Sequence, residues 1–232
     1  MIRISVIGAA LLVELLVSVL QGLHPTWLIS GMGMTSHFLY NTLDSIRIQA
    51  EIYGDKKVAN LLMRLSEFYR LSVKEEAAMV TLDDELEMLE AYMELMCYRY
   101  PNLKCEYDID PDLGDVLVPN FILQPLVENS LQHGLKNKSY QGSNAICVNQ
   151  GKNGLEIAIK DTGSGFAEGK KEMVDEMLLY YDKKEAKLEG NSIGILNVQK
   201  RIKWLCGSEY GLQYTENETG GVTAHILLPV KR

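Results

Sequence analysis

The chain is 232 residues long and carries 23 Lys and Arg against 31 Asp and Glu, a net charge of −8. That length holds one or two ordinary domains, and a hydrophobic share of 47% builds at least one real core. With 23% charged residues, 19 Gly and 6 Pro, the composition excludes a disordered, collagenous or low-complexity chain, and the acidic balance argues against a nucleic-acid partner. Cys97, Cys105, Cys147 and Cys206 form no CxxC pair and no His stands at zinc-finger spacing, so reduced thiols in a cytoplasmic domain are expected.

The chain opens with an apolar run, Ile4 to Leu23, in which fourteen of twenty residues are Ile, Val, Leu or Ala and Glu14 is the single charge. A helix spanning a bilayer needs about 20 such residues. The run is expected to be a membrane anchor, with a buried core helix as the other reading; a signal peptide would have a shorter apolar core and a cleaner cleavage site. Ser30 to Ser36 reads as a linker.

From His37 to about Leu71, apolar residues recur at three- and four-residue steps, with a break near Gly54-Asp55, which predicts two helices joined as a hairpin. Thr81 followed by Asp83, Asp84 and Glu85 predicts a capped helix start, running to about Tyr100 before Pro101. Leu103 to Ile109 then alternates like a strand, and Pro111 to Asp115 is turn chemistry. Asn120 to Leu135 reads as a helix, Ala145–Asn149 and Leu155–Lys160 as two strands joined through Gly151 to Gly154. Phe166 to Gly190 holds twelve charged residues in twenty-five and is expected to be a mobile surface segment with one short helix over Met173–Tyr181. Ile193 to Leu205 reads as a helix, with strands at Gly211–Tyr214 and Thr223–Pro229 to finish.

Three constellations carry chemistry. On the helix from Asn120, Asn129, His133 and Lys136 stand at i, i+4 and i+7, which puts them on one face. An amide oxygen suits Mg²⁺, and an imidazole and an ammonium suit phosphate oxygens; an ordinary wet helix face fits the same spacing. Asp161-Thr162-Gly163-Ser164-Gly165 follows a strand directly, so a carboxylate at the strand end can accept from an exocyclic amine such as that of adenine, although the same five residues also make a plain turn. Gly190 to Asn197 runs from a glycine-bearing loop into a helix, a place where free N–H groups meet phosphates, or simply a flexible N-cap.

Taken in order, Asn129/His133, the Asp161–Gly165 run and the last glycine loop resemble the N box and two glycine boxes of the histidine-kinase/Hsp90/MutL ATP-binding superfamily. Within it, Gln124-Pro125-Leu126-Val127-Glu128-Asn129 and His37-Phe38-Leu39-Tyr40-Asn41-Thr42-Leu43 are similar to LytS/YesM-type sensor histidine kinases, over roughly His37 to Pro229. The resemblance implies an α+β fold: a helical dimerisation and phosphoacceptor hairpin followed by a Bergerat-type α/β sandwich that binds ATP and Mg²⁺ under a lid at 166–190. It divides the chain into an apolar anchor and linker (1–36), a helical dimerisation region (37–100) and the catalytic domain (101–232).

Carried over by residue, the resemblance makes His37 the phosphoacceptor and Asn129 the magnesium ligand. It puts His133, Lys136, Asp161, Gly163, Gly165, Ile193, Gly194, Asn197 and Thr223 at the nucleotide. Asn41, four residues on from His37, would orient the imidazole, and Glu128 would help to draw off its proton. A histidine of ordinary pKa, about 6.5, is largely neutral at pH 7 and keeps a lone pair for attack on a γ-phosphate. The implied function is autophosphorylation and transfer to an Asp of a response regulator, in a homodimer at the cell membrane with the catalytic part cytoplasmic. That location requires an amino terminus outside, against the bias of Arg3. Met34-Thr35-Ser36, Ser192 and Val222 depart from the family pattern, and no sensing domain fits into 36 residues, which keeps open a truncated front end. A non-catalytic partner-binding pseudokinase and an ATP-driven clamp of the same superfamily are the alternatives; a phosphoacceptor histidine has no use in the clamp.

Overall fold

The computed structural model describes residues 36–74, 77–181 and 192–232. The apolar run 4–23 lies outside them, as does the end of the charged stretch. Among the described residues no helix is long and apolar enough to cross a membrane. The described residues form two compact units: one takes 36–74 and 90–98, the other 77–89, 99–181 and 192–232.

The first unit is built on a helical hairpin, α1 (Ser36–Ile52) and α2 (Lys56–Lys74), with its corner at Gly54-Asp55 as the periodicity predicts. The Asp55 carboxylate starts α2 by accepting the Val58 N–H at 3.1 Å. Leu43 from α1 and Leu62, Leu65, Phe68 and Tyr69 from α2 are buried, each contributing roughly 1.5–3 kcal/mol. The second half of α3 (Leu82–Arg99) adds Tyr92, Met93 and Met96, and the Phe68 and Tyr92 rings lie 6.0 Å apart. An Arg64–Glu94 pair at 2.9 Å crosses the exposed side, where such pairs contribute at most about 1 kcal/mol.

The second unit holds a two-stranded ribbon and a five-stranded sheet. The ribbon pairs β1 (Met79–Thr81) with β3 (Leu117–Pro119) antiparallel. Both strands are three residues long, too short to alternate visibly in the sequence. Thr81 then caps α3, its Oγ1 accepting the Asp84 N–H at 3.2 Å. The large sheet runs β2 (Leu103–Ile109), β4 (Gly142–Gly151), β5 (Gly154–Asp161), β7 (Val222–Leu228), β6 (Gly211–Glu216), with β2 parallel to β4 and the rest antiparallel.

Strand parity decides what faces inward. On β5, Leu155, Ile157 and Ile159 are buried while Glu156 and Lys160 are exposed, so the next inward position is Asp161. The register sets Asn144 of β4 opposite Asp161 and carries Ile146, Val148, Ala224, Ile226, Leu212 and Tyr214 on the same face. Helix α6 (Ser192–Cys206) buries Ile195, Leu196, Val198 and Ile202, and α5 (Lys170–Leu179) buries Val174, Met177 and Leu178.

The helix read from Asn120 is corrected in two ways. Phe121 has φ +60°, so the α-helix α4 begins only at Leu123, and it ends at Asn129. Ser130–Leu135 then winds as a π-helix and Lys136–Lys138 as a 3₁₀ turn. A π-helix bonds i to i+5, so the spacing that placed Asn129, His133 and Lys136 on one α-helical face does not apply. His133 and Lys136 are exposed, whereas Ser130, Leu131, Gly134 and Leu135 turn inward.

Candidate functional site

The site is built around the end of β5. Asp161 is 4% exposed, and its Oδ1 accepts the Gly163 N–H at 2.7 Å and the Val222 N–H at 3.3 Å. Burial pushes this carboxyl above its ordinary pKa, while those two N–H groups, the Ser130 hydroxyl and the Lys138 charge pull it back down. Its main-chain carbonyl accepts from Asn217 Nδ2 at 3.0 Å, and Thr223 Oγ1 donates to Asn217 Oδ1 at 2.6 Å. The result is an acid at the end of β5 oriented by the following turn and by the start of β7.

Close backbone approach explains the glycines around it. A Cβ on Gly163 would lie 2.5 Å from the Gly134 backbone, and one on Gly221 would lie 2.1 Å from the Asp161 carbonyl oxygen. The π segment therefore packs directly on the turn after β5, with Ser164 N donating to Gly134 O at 3.1 Å. Lys138 Nζ closes this contact by donating to the carbonyls of Thr162 and Gly163 at 2.7 and 2.8 Å.

Glu128 and Asn129 end α4, both half-buried. The Glu128 carboxylate accepts from Gln124 Nε2 at 2.8 Å, and burial raises its pKa to about 7 against that bond. The Asn129 carboxamide has no hydrogen-bond partner among the described residues. No cluster of three His, Cys, Asp or Glu among those residues is arranged to hold a metal. A single amide oxygen completed by phosphate and water oxygens is a set that fits Mg²⁺, which keeps several waters and takes few protein ligands. The imidazole of His133 is depressed by partial burial and by the charges of Lys170 and Lys136, so three basic groups gather on this side.

The other expected residues are placed less centrally. Gly165 turns the chain at φ +77°. Gly194 lies in the first turn of α6, where an added Cβ would meet Pro125 Cβ at 3.9 Å, an ordinary contact among the described residues. Asn197 is exposed on α6, at helical spacing from the exposed Lys200 and Trp204. Thr223 is not brought to the Asp161 face: it pairs with Lys160, whose side chain points away, and strand parity puts Val222 on the inner face instead. His37 and Ile193 fall on α1 and α6, and Asn41 is exposed on α1.

Ser130, Lys138, Asn144, Tyr214, Asn217 and Gly221 belong to the same place without having been read from the sequence. Tyr214 is buried with its hydroxyl lacking a hydrogen-bond partner among the described residues, and Phe166 meets its ring edge-on at 6.0 Å. The pair Gly220-Gly221 was a visible signal; Asn144 and Tyr214 sit in ordinary strand patterns.

Family models place these elements. Residues 32–103 match the histidine kinase model, and residues 114–232 match the model of histidine kinase-, DNA gyrase B-, and HSP90-like ATPases. The chain is 32% identical over 193 residues to the sensor protein LytS of Oceanobacillus iheyensis, covering 82% of this chain and 32% of that one. The sensor histidine kinase/phosphatase LytS of Staphylococcus aureus is 29% identical over 203 residues, covering 86% and 33%. The chain thus spans about a third of the length of these relatives. The catalytic domain of histidine kinase ThkA, in a nucleotide-free form, shares the fold at a TM-score of 0.50 and 16% identity, over 66% of this chain and 97% of that one. From the matched residues and the α/β sandwich together, the chain belongs to the histidine kinase-, DNA gyrase B- and HSP90-like ATPases, with a histidine-kinase segment ahead of the ATPase domain.

Proposed function

We propose that the chain is the core of a two-component sensor histidine kinase, which phosphorylates His37 from ATP and passes the phosphoryl group to an Asp of a response regulator. The observation that carries this reading is the buried Asp161 carboxylate, fixed by Gly163 and Val222 where a base with an exocyclic amine would present it. The proposed division is an anchor and linker over 1–36, a dimerisation and phosphoacceptor region over 37–100, and the catalytic domain over 101–232.

In this reading Asp161 accepts from the adenine amine, and His133, Lys136 and Lys170 face the phosphates. Asn129 would hold Mg²⁺, which supplies charge neutralisation on the phosphate oxygens when bound. A ring nitrogen of His37 forms the N–P bond as the bond from the γ-phosphorus to its bridging oxygen breaks, and ADP leaves. Glu128, with a pKa of about 7, is suited to take the imidazole proton. Asn41 would orient the ring.

Exposed Ile48 and Ile52 on α1 and Met63 on α2 support a homodimer, because a hairpin cannot bury both faces alone. The run 4–23 would anchor the chain in the cell membrane with the catalytic part in the cytoplasm. Incubation with γ-labelled ATP tests the reading: label that is lost in acid and stable in alkali supports it, and absence of label favours a non-catalytic partner-binding form.

A further inference from the structure

We propose that Ser130 and Asn144 hold Asp161 as a pure hydrogen-bond acceptor and thereby make the site select a 6-amino purine nucleotide over a 6-oxo one. The inference rests on the reading of Asp161 as the group that meets the base.

Three buried polar side chains converge here from three elements. Asn144 is 0% exposed, Ser130 7% and Asp161 4%. Asn144 and Asp161 are direct partners in the β4–β5 register, and both point to the helix face, where Ser130 opens the π segment. Ser130 Oγ lies 2.5 Å from Asn144 Oδ1, while Asn144 Nδ2 is buried with no partner among the described residues. Asp161 faces the same place from the neighbouring strand, where the Ser130 hydroxyl favours its charged form.

A serine hydroxyl has one proton and cannot donate to both neighbours. A half-turn of the Asn144 carboxamide exchanges its oxygen and nitrogen at almost no change in shape. Nδ2 then donates to Ser130 Oγ, and the serine proton goes to Asp161. This arrangement replaces one hydrogen bond by two and leaves the carboxamide oxygen, which has a weaker demand for a partner than an N–H, in the unpaired position.

Asp161 then receives three donors: the N–H groups of Gly163 and Val222 and the hydroxyl of Ser130. The charged and titratable groups that face it add to this bias or leave it alone. Lys138, from the 3₁₀ turn, favours the carboxylate, and its ammonium is spent on the carbonyls of Thr162 and Gly163. The Tyr214 phenol on β6 is raised by burial and stays neutral. A carboxylate kept ionised by these donors, two of them on Oδ1, offers the ligand acceptor capacity only. It welcomes the N–H of a 6-amino group and opposes the oxygen of a 6-oxo group, acceptor against acceptor.

The test compares ATP with inosine triphosphate, which replaces the 6-amino group by an oxygen, by calorimetry on the full chain. Wild type is expected to bind ATP the more tightly. Ser130→Ala should lower the ratio of the two affinities by about tenfold while the inosine triphosphate affinity is kept. Asn144→Asp, which draws the serine proton away from Asp161, should move the ratio the same way. A purely structural role would weaken both nucleotides in parallel and leave the ratio where it was. An unchanged ratio in both variants overturns the inference alone. A wild type that does not prefer ATP overturns the reading of Asp161 and the inference with it.

Discussion

The carboxylate of Glu85, on the first turn of α3, accepts the backbone N–H of Ile122 at 2.7 Å at the entrance to α4. The N–H groups of Phe121 and Leu123 reach the same carboxylate at 2.8 Å. Three donors that a short helix would otherwise leave open are filled by one acid that is 1% exposed. Arg201 of α6 holds the same loop from the carbonyl side, at Asn120. Glu85→Ala should therefore destabilise the second unit by about 3 kcal/mol, since buried donors are left unpaired. Urea unfolding followed by tryptophan emission measures it, and Glu85→Gln, which keeps an acceptor, should lose less.

Glu128 makes stability depend on pH. Its folded pKa of about 7 stands above the ordinary value of 4.5, so the folded state holds a proton that the unfolded state releases between those two values. The contribution is fully present below pH 4.5, is lost as pH rises to about 7, and stays lost above it. Glu128→Gln keeps an acceptor for Gln124 and cannot ionise. The variant should melt higher than wild type at pH 8 and show a smaller decline from pH 5 to 8, as read by thermal scans across that range.

Gly163 tests the contact between the π segment and the turn after β5. A Cβ there meets the Gly134 backbone at 2.5 Å, and backbone cannot step aside as a side chain does. Gly163→Ala is expected to cost roughly 1–3 kcal/mol of stability and to weaken ATP binding by at least about tenfold, because the turn must shift and carry the N–H at 163 away from Asp161. Equal affinity for ATP in the variant would show that this turn does not shape the nucleotide site.

Asn129 bears on the metal. With one protein ligand proposed for Mg²⁺, Asn129→Ala should remove most of the gain in ATP affinity that magnesium gives and leave magnesium-free binding unchanged. Paired titrations with and without Mg²⁺ decide it.

Much of this architecture was legible in the sequence because it is periodic. The hairpin corner at Gly54-Asp55, the strand Leu103–Ile109 and the last helix all follow from apolar spacing and punctuation. The pieces that escaped are those where a tertiary contact overrides local pattern. Phe121 takes a positive φ because Glu85 and Arg201, far away in sequence, hold its neighbours. The π segment looks like an α-helix by composition, and only the Gly134–Gly163 approach distinguishes it. Thr223 was read one position away from the inward face, since a single-residue step reverses every side chain of a strand. Asp161 was legible for the opposite reason: an acid after an alternating strand and before two glycines is both a local and a tertiary signal.

The central claim is that His37 receives the phosphoryl group of ATP bound in the second unit. The most direct measurement compares wild type with His37→Ala for acid-labile labelling from γ-labelled ATP, alongside ATP affinity by calorimetry. The account predicts that the variant loses the label and binds ATP as wild type does. Acid-labile label retained in His37→Ala would contradict it.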